Sequence, residues 1–236
     1  MNNVKKSLLV GCLLALSGVA NAGLITEDFT DGSVDNVNFE MLGGYVSNGQ
    51  WYGDVDRSLL RTVDDSFVPS AGNILTIDAD LTMFGINEIA YLSFRSDGIS
   101  YDGAGWGEAI NGLNLRLHNF QEGHTGVHNG GGEDYFAQNP TSGEFFYNNP
   151  IHINIVDNGS VADITFTNTV TQEVNFVSYS SLFSAGGHVG FATSGGSSWD
   201  NIAIQYEAVD VPEPASLALF GLGVFGLMAS RKRKAK

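Results

Sequence analysis

Aromatic side chains in glycine-rich segments are the residues of this chain best suited to bind a ligand. Tyr101 and Trp106 belong to a segment, 101–108, that reads as an exposed loop, and Trp51 follows Asn48-Gly49. Exposed aromatic rings stack on the apolar faces of sugars, while amides and carboxylates bind sugar hydroxyls. The candidate glycan-binding residues in or beside such segments are Trp51, Tyr52, Tyr101, Trp106, Tyr135 and Tyr147. Among them we single out Trp106, Tyr101 and Trp51, whereas Trp199 is expected to pack in the core. The alternative for each ring is packing in a core.

Histidines offer a second kind of chemistry. His118, His124 and His128 lie near Glu133 and Asp134, but their spacing matches no zinc motif such as H-E-x-x-H, and no cysteine is nearby. We interpret this stretch as part of a solvated polar loop over 121–149, where strand signals are scarce. The chain also lacks a Gly-x-Ser-x-Gly nucleophile elbow and a phosphate-binding loop. No catalytic residue is predicted, and we do not expect an enzyme.

Charge in the chain is strongly asymmetric. Between residues 23 and 210 only four arginines stand against 25 acidic residues (26 in the chain less Glu213), a balance of −21. Phosphate backbones require a basic footprint, so nucleic acid is excluded as a partner. An acidic surface favours solubility and divalent cations.

The N-terminus has the three parts of a secretory signal peptide. Lys5 and Lys6 precede an apolar run over 8–19, and Ala20-Asn21-Ala22 ends it with an A-x-A cleavage site. We expect residues 1–22 to pass through the export translocon and signal peptidase to cleave between Ala22 and Gly23. The alternatives are a buried helix, which this non-amphipathic segment does not favour, and a lipoprotein signal with Cys12 as the lipidated residue. Loss of Cys12 would leave a domain with no cysteine.

The C-terminus ends in an apolar span followed by basic residues. Residues 215–230 contain no charge, and Arg231, Lys232 and Arg233 follow directly. As a transmembrane helix the span would be about 24 Å long, slightly shorter than a hydrocarbon core of about 30 Å. The basic end predicts that the extreme C-terminus stays in the cytoplasm. The body of the chain is therefore expected on the far side of the inner membrane, in agreement with the signal peptide.

A proline-flanked acid precedes that span. Val211, Pro212, Glu213 and Pro214 should be extended, because each proline lacks a backbone N–H and biases its predecessor away from the helix. With the apolar span and the terminal basic cluster, residues 211–236 resemble the PEP-CTERM sorting tail. The resemblance implies recognition and cleavage by an exosortase, a membrane protease or transpeptidase. The alternative is a permanent single-span anchor.

The remaining region, 23–210, consists of short alternating runs and has no amphipathic helix. Leu113 to His118 alternates at period two, as a half-buried strand does. Ile151 to Ile155 does the same, and Asp157-Asn158-Gly159 predicts a hairpin turn into a partner strand over 160–168. Further runs occur at 74–81, 91–95, 189–191 and 202–206. About a dozen strands with one apolar face predict an all-β, two-sheet antiparallel β-sandwich.

Short motifs in this region carry a second resemblance. They are Glu27-Asp28-Phe29-Thr30-Asp31-Gly32, Gly44-Tyr45-Val46, the 151–168 hairpin, Gly187 to Phe191, and Trp199-Asp200-Asn201-Ile202. With them the region resembles the concanavalin A-like or laminin-G-like jelly roll. The alternative is another β-sandwich. The resemblance implies that the first and last strands are neighbours.

That neighbourhood would bring Glu27, Asp28 and Asp200 together. Carboxylates and backbone carbonyls are ligands that Ca²⁺ prefers, so these residues form a candidate calcium site. Ordinary solvated carboxylates at strand ends are the alternative.

We therefore expect a protein that is exported, anchored in the inner membrane as a precursor, and then moved to the cell surface or extracellular matrix. A non-catalytic module that binds exopolysaccharide or another matrix component is the favoured function. A glycan-active hydrolase or lyase and a purely structural surface protein are the alternatives, and the fold cannot distinguish them.

Overall fold

The structure is a computed structural model that describes residues 23–54, 58–70, 72–84, 88–99, 109–118, 126–129, 132–135, 149–180, 186–193 and 196–208. These residues form β-strands joined by turns. The strands are β1 (Gly23–Glu27), β2 (Phe39–Leu42), β3 (Tyr45–Ser47), β4 (Gln50–Tyr52), β5 (Ser58–Thr62), β6 (Asn73–Met83), β7 (Ile89–Ile99), β8 (Ala109–His118), β9 (Gly126–Asn129), β10 (Gly132–Tyr135), β11 (Ile151–Asp157), β12 (Ala162–Asn168), β13 (Val174–Tyr179), β14 (His188–Thr193) and β15 (Ser197–Ala208).

Two antiparallel sheets make up the molecule. Sheet A has eight strands in the order β13-β12-β11-β6-β15-β4-β3, and β1 also pairs with β15. Sheet B has seven strands in the order β10-β9-β8-β7-β14-β5-β2. The predicted all-β two-sheet sandwich is confirmed.

The first and last strands of the sandwich are neighbours. β1 runs antiparallel to the second half of β15, with Glu27 opposite Ile202. The first half of β15 pairs on the same side with β4, where Trp199 lies opposite Trp51. On its other side β15 follows β6 for most of its length, with an irregularity between Asp200 and Ala203.

The core lies between the sheets and follows the alternation of the strands. In β11 the buried residues Ile151, Ile153 and Ile155 alternate with half-buried polar ones, and β12 buries Ile164 and Phe166 on the same face. β11 and β12 pair from Ile151–Asn168 to Asp157–Ala162, as the Asp-Asn-Gly turn predicts. Each fully buried aliphatic or aromatic side chain contributes about 1.5–3 kcal/mol through the hydrophobic effect.

One difference from the sequence interpretation concerns the segment 121–149. The stretch 121–149 was expected to contain no strand, yet β9 and β10 lie within it and extend sheet B at its edge. Glycine-rich strands of four residues are too short to give an alternation signal. The predicted signal helix and transmembrane helix lie outside the described residues. Within those residues, no helix has the length and apolar character that crossing a bilayer requires.

Candidate functional site

Polar side chains cover the centre of the outer face of sheet A. Alternate residues of β6 and β11 point into the core, so Asp78, Asp80, His152 and Asn154 point to this outer face. The register of the two strands places Asp80 opposite His152 and Asp78 opposite Asn154. The His152 Nδ1 lies 2.8 Å from an Asp80 oxygen, and its Nε2 lies 3.3 Å from Asp78 Oδ1. Asn154 donates an amide hydrogen bond of 2.8 Å to the same Asp78 oxygen. One imidazole is thus held between two carboxylates.

The electrostatics of His152, Asp78 and Asp80, which we call the trio, favour the charged imidazolium. Hydrogen bonds to Asp78 and Asp80 raise the pKa of His152 to about 9, against the opposing effect of partial burial. The same contact with His152 lowers the pKa of Asp78 below its usual range, assisted by Asn154. The trio is therefore a compact ion network with a net charge of −1 at neutral pH when both aspartates are ionised.

A bulge in β15 adds a third aspartate to this face. Asn201 has a positive φ of 48° at the irregularity, and its amide donates to Asp80 Oδ2 over 2.8 Å. The Asn201 backbone N–H donates to Asp200 Oδ1 over 2.7 Å. Burial raises the pKa of Asp200, hydrogen bonds from Asn201 and Gln50 oppose the rise, and the charges of Asp80 and Asp28 add to it. Asp200 is therefore repelled by Asp80, its partner in register on β6, and by Asp28.

The three carboxylates of the candidate calcium site have different hydrogen-bond partners. Glu27 is buried, and its two oxygens accept backbone hydrogen bonds from Phe29 at 2.9 Å and Asp35 at 2.5 Å, closing the turn after β1. An oxygen of Asp28 accepts hydrogen bonds from the backbone and hydroxyl of Thr30, which lower the pKa of Asp28. Pairing of β1 with β15 brings Asp28 towards Asp200, as expected, but not as a ligand set with Glu27.

Across the residues that the structure describes, no group of three or more His, Cys, Asp or Glu side chains is arranged to hold a metal ion. Glu27, Asp28 and Asp200 therefore do not converge as one ligand set here, and the Glu27 carboxylate accepts backbone hydrogen bonds instead. Of the predicted histidine cluster, His118 is buried at the end of β8, and His128 pairs in register with Glu133 between β9 and β10. His124 lies outside the described residues.

The candidate aromatic residues divide between the core and segments that the structure does not describe. Trp51 is fully buried opposite Trp199, and its indole N–H donates to the Gly43 carbonyl over 3.4 Å. Trp51 therefore packs in the core and offers no ring face to a sugar, which corrects its assignment as a binding residue. Trp199 is buried too, as expected, in an edge-to-face contact with Phe191. Tyr101 and Trp106 lie outside the described residues.

Tyr52, the candidate residue next to Trp51, points the other way. Tyr52 lies on the outer face of sheet A, nearly parallel to Tyr45 of the neighbouring strand, with ring centroids 5.5 Å apart and an interplanar angle of 11°. Phe84, just after β6, lies 6.0 Å from Tyr52 at 19°. We call Tyr45, Tyr52 and Phe84 the aromatic row.

Glycine and amide groups position this row. Gly44 has a positive φ, and a Cβ there would lie 2.4 Å from the Tyr52 carbonyl and 2.6 Å from the Trp51 indole nitrogen, so only glycine fits. Gln50 Oε1 accepts hydrogen bonds from Tyr52 Oη at 2.9 Å and Ser198 Oγ at 3.1 Å. The sequence names Tyr52 as a candidate but does not predict the row, because β3 and β4 have three residues each, which is too few to show which side chains face inward.

The outer face of sheet B is closed to solvent near its centre. Tyr91, Ser93 and Asn114 lie on the side of β7 and β8 away from the main core, yet each is at most 3% exposed. Ser93 donates a hydrogen bond of 2.5 Å to Asn114 Oδ1. A small second cluster of Leu59, Ile89, Tyr91 and Ala192 covers part of the same face. This part of sheet B offers a ligand less access than the outer face of sheet A.

The tail predicted to direct sorting matches a known family. Residues 210–234 match the PEP-CTERM protein-sorting motif. The chain carries a PEP-CTERM sorting motif. Val211, Pro212, Glu213, Pro214 and the basic residues Arg231, Lys232 and Arg233 fall within the match and outside the described structure. Ala22, at the predicted signal cleavage site, also lies outside it, whereas Gly23 begins β1.

Among solved structures, lectins and lectin-like proteins are similar in fold to the sandwich. The winged bean acidic lectin, in complex with methyl-α-D-galactose, has a TM-score of 0.56 and 9% identity over 79% of this chain and 98% of the lectin. Arcelin-5, a lectin-like defense protein from Phaseolus vulgaris, has a TM-score of 0.56 and 12% identity over 80% and 98%. The VIP36 exoplasmic/lumenal domain, bound to Ca²⁺ and Man3GlcNAc, has a TM-score of 0.52 and 10% identity over 77% and 88%. The fold is thus the lectin-like jelly roll. No curated protein matches the sequence.

Proposed function

We propose that this PEP-CTERM chain is an exosortase-sorted glycan-binding module, without catalytic activity, that works at the cell surface or in the extracellular polysaccharide matrix. The observation that carries the assignment is the combination, in one chain, of a sorting motif over 210–234 and a lectin-like sandwich that spans 98% of the winged bean lectin. The motif supports export and membrane-proximal processing. The fold supports a carbohydrate ligand, because lectins of this shape are recorded with galactose and mannose ligands.

Charge supports a role outside the cytoplasm in contact with polysaccharide rather than nucleic acid. The sandwich region has four arginines and 25 acidic residues, and Asp80 and Asp200 lie opposite each other on the outer face of sheet A. Carboxylates accept hydrogen bonds from the neutral hydroxyl groups of glycans, whereas the phosphate backbone of a nucleic acid is repelled by such a surface.

A binding and turnover assay on the full chain tests the glycan-binding proposal. The chain is extracted from membranes in a detergent without a sugar headgroup, which avoids competition by the detergent, and is applied to an array of immobilised polysaccharides. Binding without release of new reducing ends or unsaturated products is the expected result. Release of reducing ends would instead identify a hydrolase, release of unsaturated ends a lyase, and absence of both binding and product a structural protein.

A further inference from the structure

The aromatic row places three rings side by side at one edge of sheet A. Tyr45 belongs to the edge strand β3, Tyr52 to β4, and Phe84 follows β6. Tyr45 is 53% exposed and Phe84 is 44% exposed. Tyr52 points to the outer face because its strand neighbour Trp51 is fully buried, and Phe84 directly follows the fully buried Met83 at the end of β6. The two end rings of the row are therefore exposed, and the central ring of Tyr52 is half-buried.

Cross-strand packing accounts for only part of this arrangement. A directly opposed aromatic pair such as Tyr45 and Tyr52 stabilises an edge by about 0.2–1 kcal/mol. Phe84 is not in a strand and adds exposed apolar surface that the core does not use. Extended apolar patches at a protein surface commonly mark a binding site. The row thus has more exposed ring surface than edge stabilisation needs.

Polar groups lie beside the rings on the same face. Gln50 Oε1 accepts hydrogen bonds from the hydroxyls of Tyr52 and Ser198, and the proximity of the Gln50 side chain lowers the pKa of Asp200 against the effect of burial. From Asp200 the polar network continues through Asn201 and Asp80 to His152. Aromatic rings for the C–H faces of a sugar therefore adjoin oxygen atoms that accept hydrogen bonds from its hydroxyls.

The charge of this neighbourhood selects among glycans. Asp80 and Asp200 lie opposite each other in register here, and the charge of Asp28 also acts on Asp200. The described cation on this part of the face is the His152 imidazolium, already held by Asp78 and Asp80. A polysaccharide with uronate, sulfate or phosphate groups would bring further negative charge to the same place and would be repelled. The surface accordingly suits a glycan without acidic groups.

Resting on the glycan-binding function proposed above, we propose that the aromatic row binds a neutral polysaccharide chain. Tyr45, Tyr52 and Phe84 pack against successive sugar rings, and the polar groups around Gln50 and Asp200 bind their hydroxyls. Selection against acidic polysaccharides comes from the neighbouring aspartates.

Affinity electrophoresis of the full chain in non-sugar detergent tests this assignment. The probes are neutral polysaccharides (a mixed-linkage β-glucan, xylan and galactomannan) and the anionic alginate. The Tyr45→Ala/Phe84→Ala variant should lose at least about tenfold in affinity for the neutral probe that the wild type binds. The matched control is Val174→Ala/Phe176→Ala, which removes two residues of 58% and 60% exposure at the opposite edge of sheet A and should bind as the wild type does.

Tyr52→Phe provides a milder second variant. It keeps the ring and removes only the hydroxyl that donates a hydrogen bond to Gln50. The fold is therefore retained, and the affinity should fall by a smaller factor than in Tyr45→Ala/Phe84→Ala. Equal melting midpoints of all variants establish that lost binding is not lost folding. Wild-type affinity in Tyr45→Ala/Phe84→Ala, or a preference for alginate, would overturn the site while leaving the glycan-binding function in place. Failure of the wild type to bind any polysaccharide would overturn both.

Discussion

The Arg95 guanidinium and the Asp157 carboxylate form a buried ion pair that joins the two sheets. Arg95 Nε lies 2.6 Å from one Asp157 oxygen and a terminal nitrogen lies 2.5 Å from the other, with side-chain exposures of 4% and 0%. Asp157 also accepts the Gly159 backbone N–H over 2.9 Å, which fixes the β11–β12 turn. Arg95 belongs to sheet B and Asp157 to sheet A. The pair therefore sets how one sheet lies over the other.

Breaking this pair should strongly destabilise the domain. Asp157→Asn leaves the Arg95 charge buried without its counter-ion, and we expect a loss of about 3–5 kcal/mol in the free energy of unfolding. Urea denaturation followed by fluorescence measures it. The double change Arg95→Met/Asp157→Leu should recover much of the loss, because neither charge is then buried.

The exposed ion pair between Arg61 and Glu40 is the matched control. Its side chains are 28% and 47% exposed, so Glu40→Gln should cost no more than about 1 kcal/mol. If Asp157→Asn is as mild as Glu40→Gln, the buried pair does not have the structural role assigned to it.

Half of this ion pair could be read from the sequence. The alternation Ile151, Ile153, Ile155 continues to position 157, so strand geometry places the Asp157 carboxylate on the core side, where it requires a partner. The identity of that partner could not be predicted. Arg95 reaches the core side because it has a positive φ of 56° at an irregularity between β7 and β8. Such a bulge depends on contacts between strands and leaves no periodic signal.

The Glu27 carboxylate should stabilise the fold without a metal ion. Glu27→Gln replaces a carboxylate that accepts the backbone N–H groups of Phe29 and Asp35 in a buried turn. We expect a loss of about 1–3 kcal/mol in the free energy of unfolding. Thermal melts in EDTA and in millimolar Ca²⁺ should show the same difference between wild type and variant.

Asp28→Asn is the control for this turn, since Asp28 is exposed and bonds only within its own turn to Thr30. Its effect should be small in both media. A Ca²⁺-dependent rise in the melting midpoint of the wild type that disappears in Glu27→Gln would instead make Glu27 a calcium ligand.

His152 should make stability depend on pH in the weakly alkaline range. Its pKa is raised to about 9 from the usual 6.5, chiefly by hydrogen bonds to Asp78 and Asp80. A group whose pKa is higher in the folded state contributes stability that is complete below pH 6.5 and is lost as the pH rises through 9. Because the trio is partly solvated, we expect a decrease of about 1 kcal/mol or less. Urea denaturation at several pH values measures it.

Two variants assign this pH dependence. His152→Gln should remove the decrease between pH 6.5 and 9, and Asp78→Asn should reduce it because one of the two carboxylate partners is lost. The residues directly opposite His152 on the two neighbouring strands are Asp80 of β6 and Thr167 of β12. Of these two residues only Asp80 is titratable. An unchanged decrease in His152→Gln would assign the effect to a different residue.

The aromatic row shows the limit of sequence patterns for the site. Trp51 and Tyr52 are adjacent, and in a strand adjacent side chains point to opposite faces, so an assignment wrong by one residue exchanges a core residue for a surface one. β11 and β12 were long enough for alternation to fix their inward faces, whereas β4 spans three residues. Pairing with β15 places Trp51 inward opposite Trp199, and that contact depends on residues almost 150 positions away.

The sorting motif predicts a specific processing defect. Glu213→Gln, or replacement of both Pro212 and Pro214 by alanine, should prevent recognition by the exosortase, because the first removes the acid of the motif and the second removes the prolines that favour an extended backbone. The unprocessed chain should then accumulate in the inner membrane, as detected by fractionation and immunoblotting in a host that has exosortase.

Glu207→Gln is the matched control, since Glu207 is an exposed acid near the end of β15, upstream of the motif. It should be processed as the wild type is. Normal release of the Glu213→Gln and proline variants would mean that the tail acts as an ordinary membrane anchor rather than as an exosortase signal.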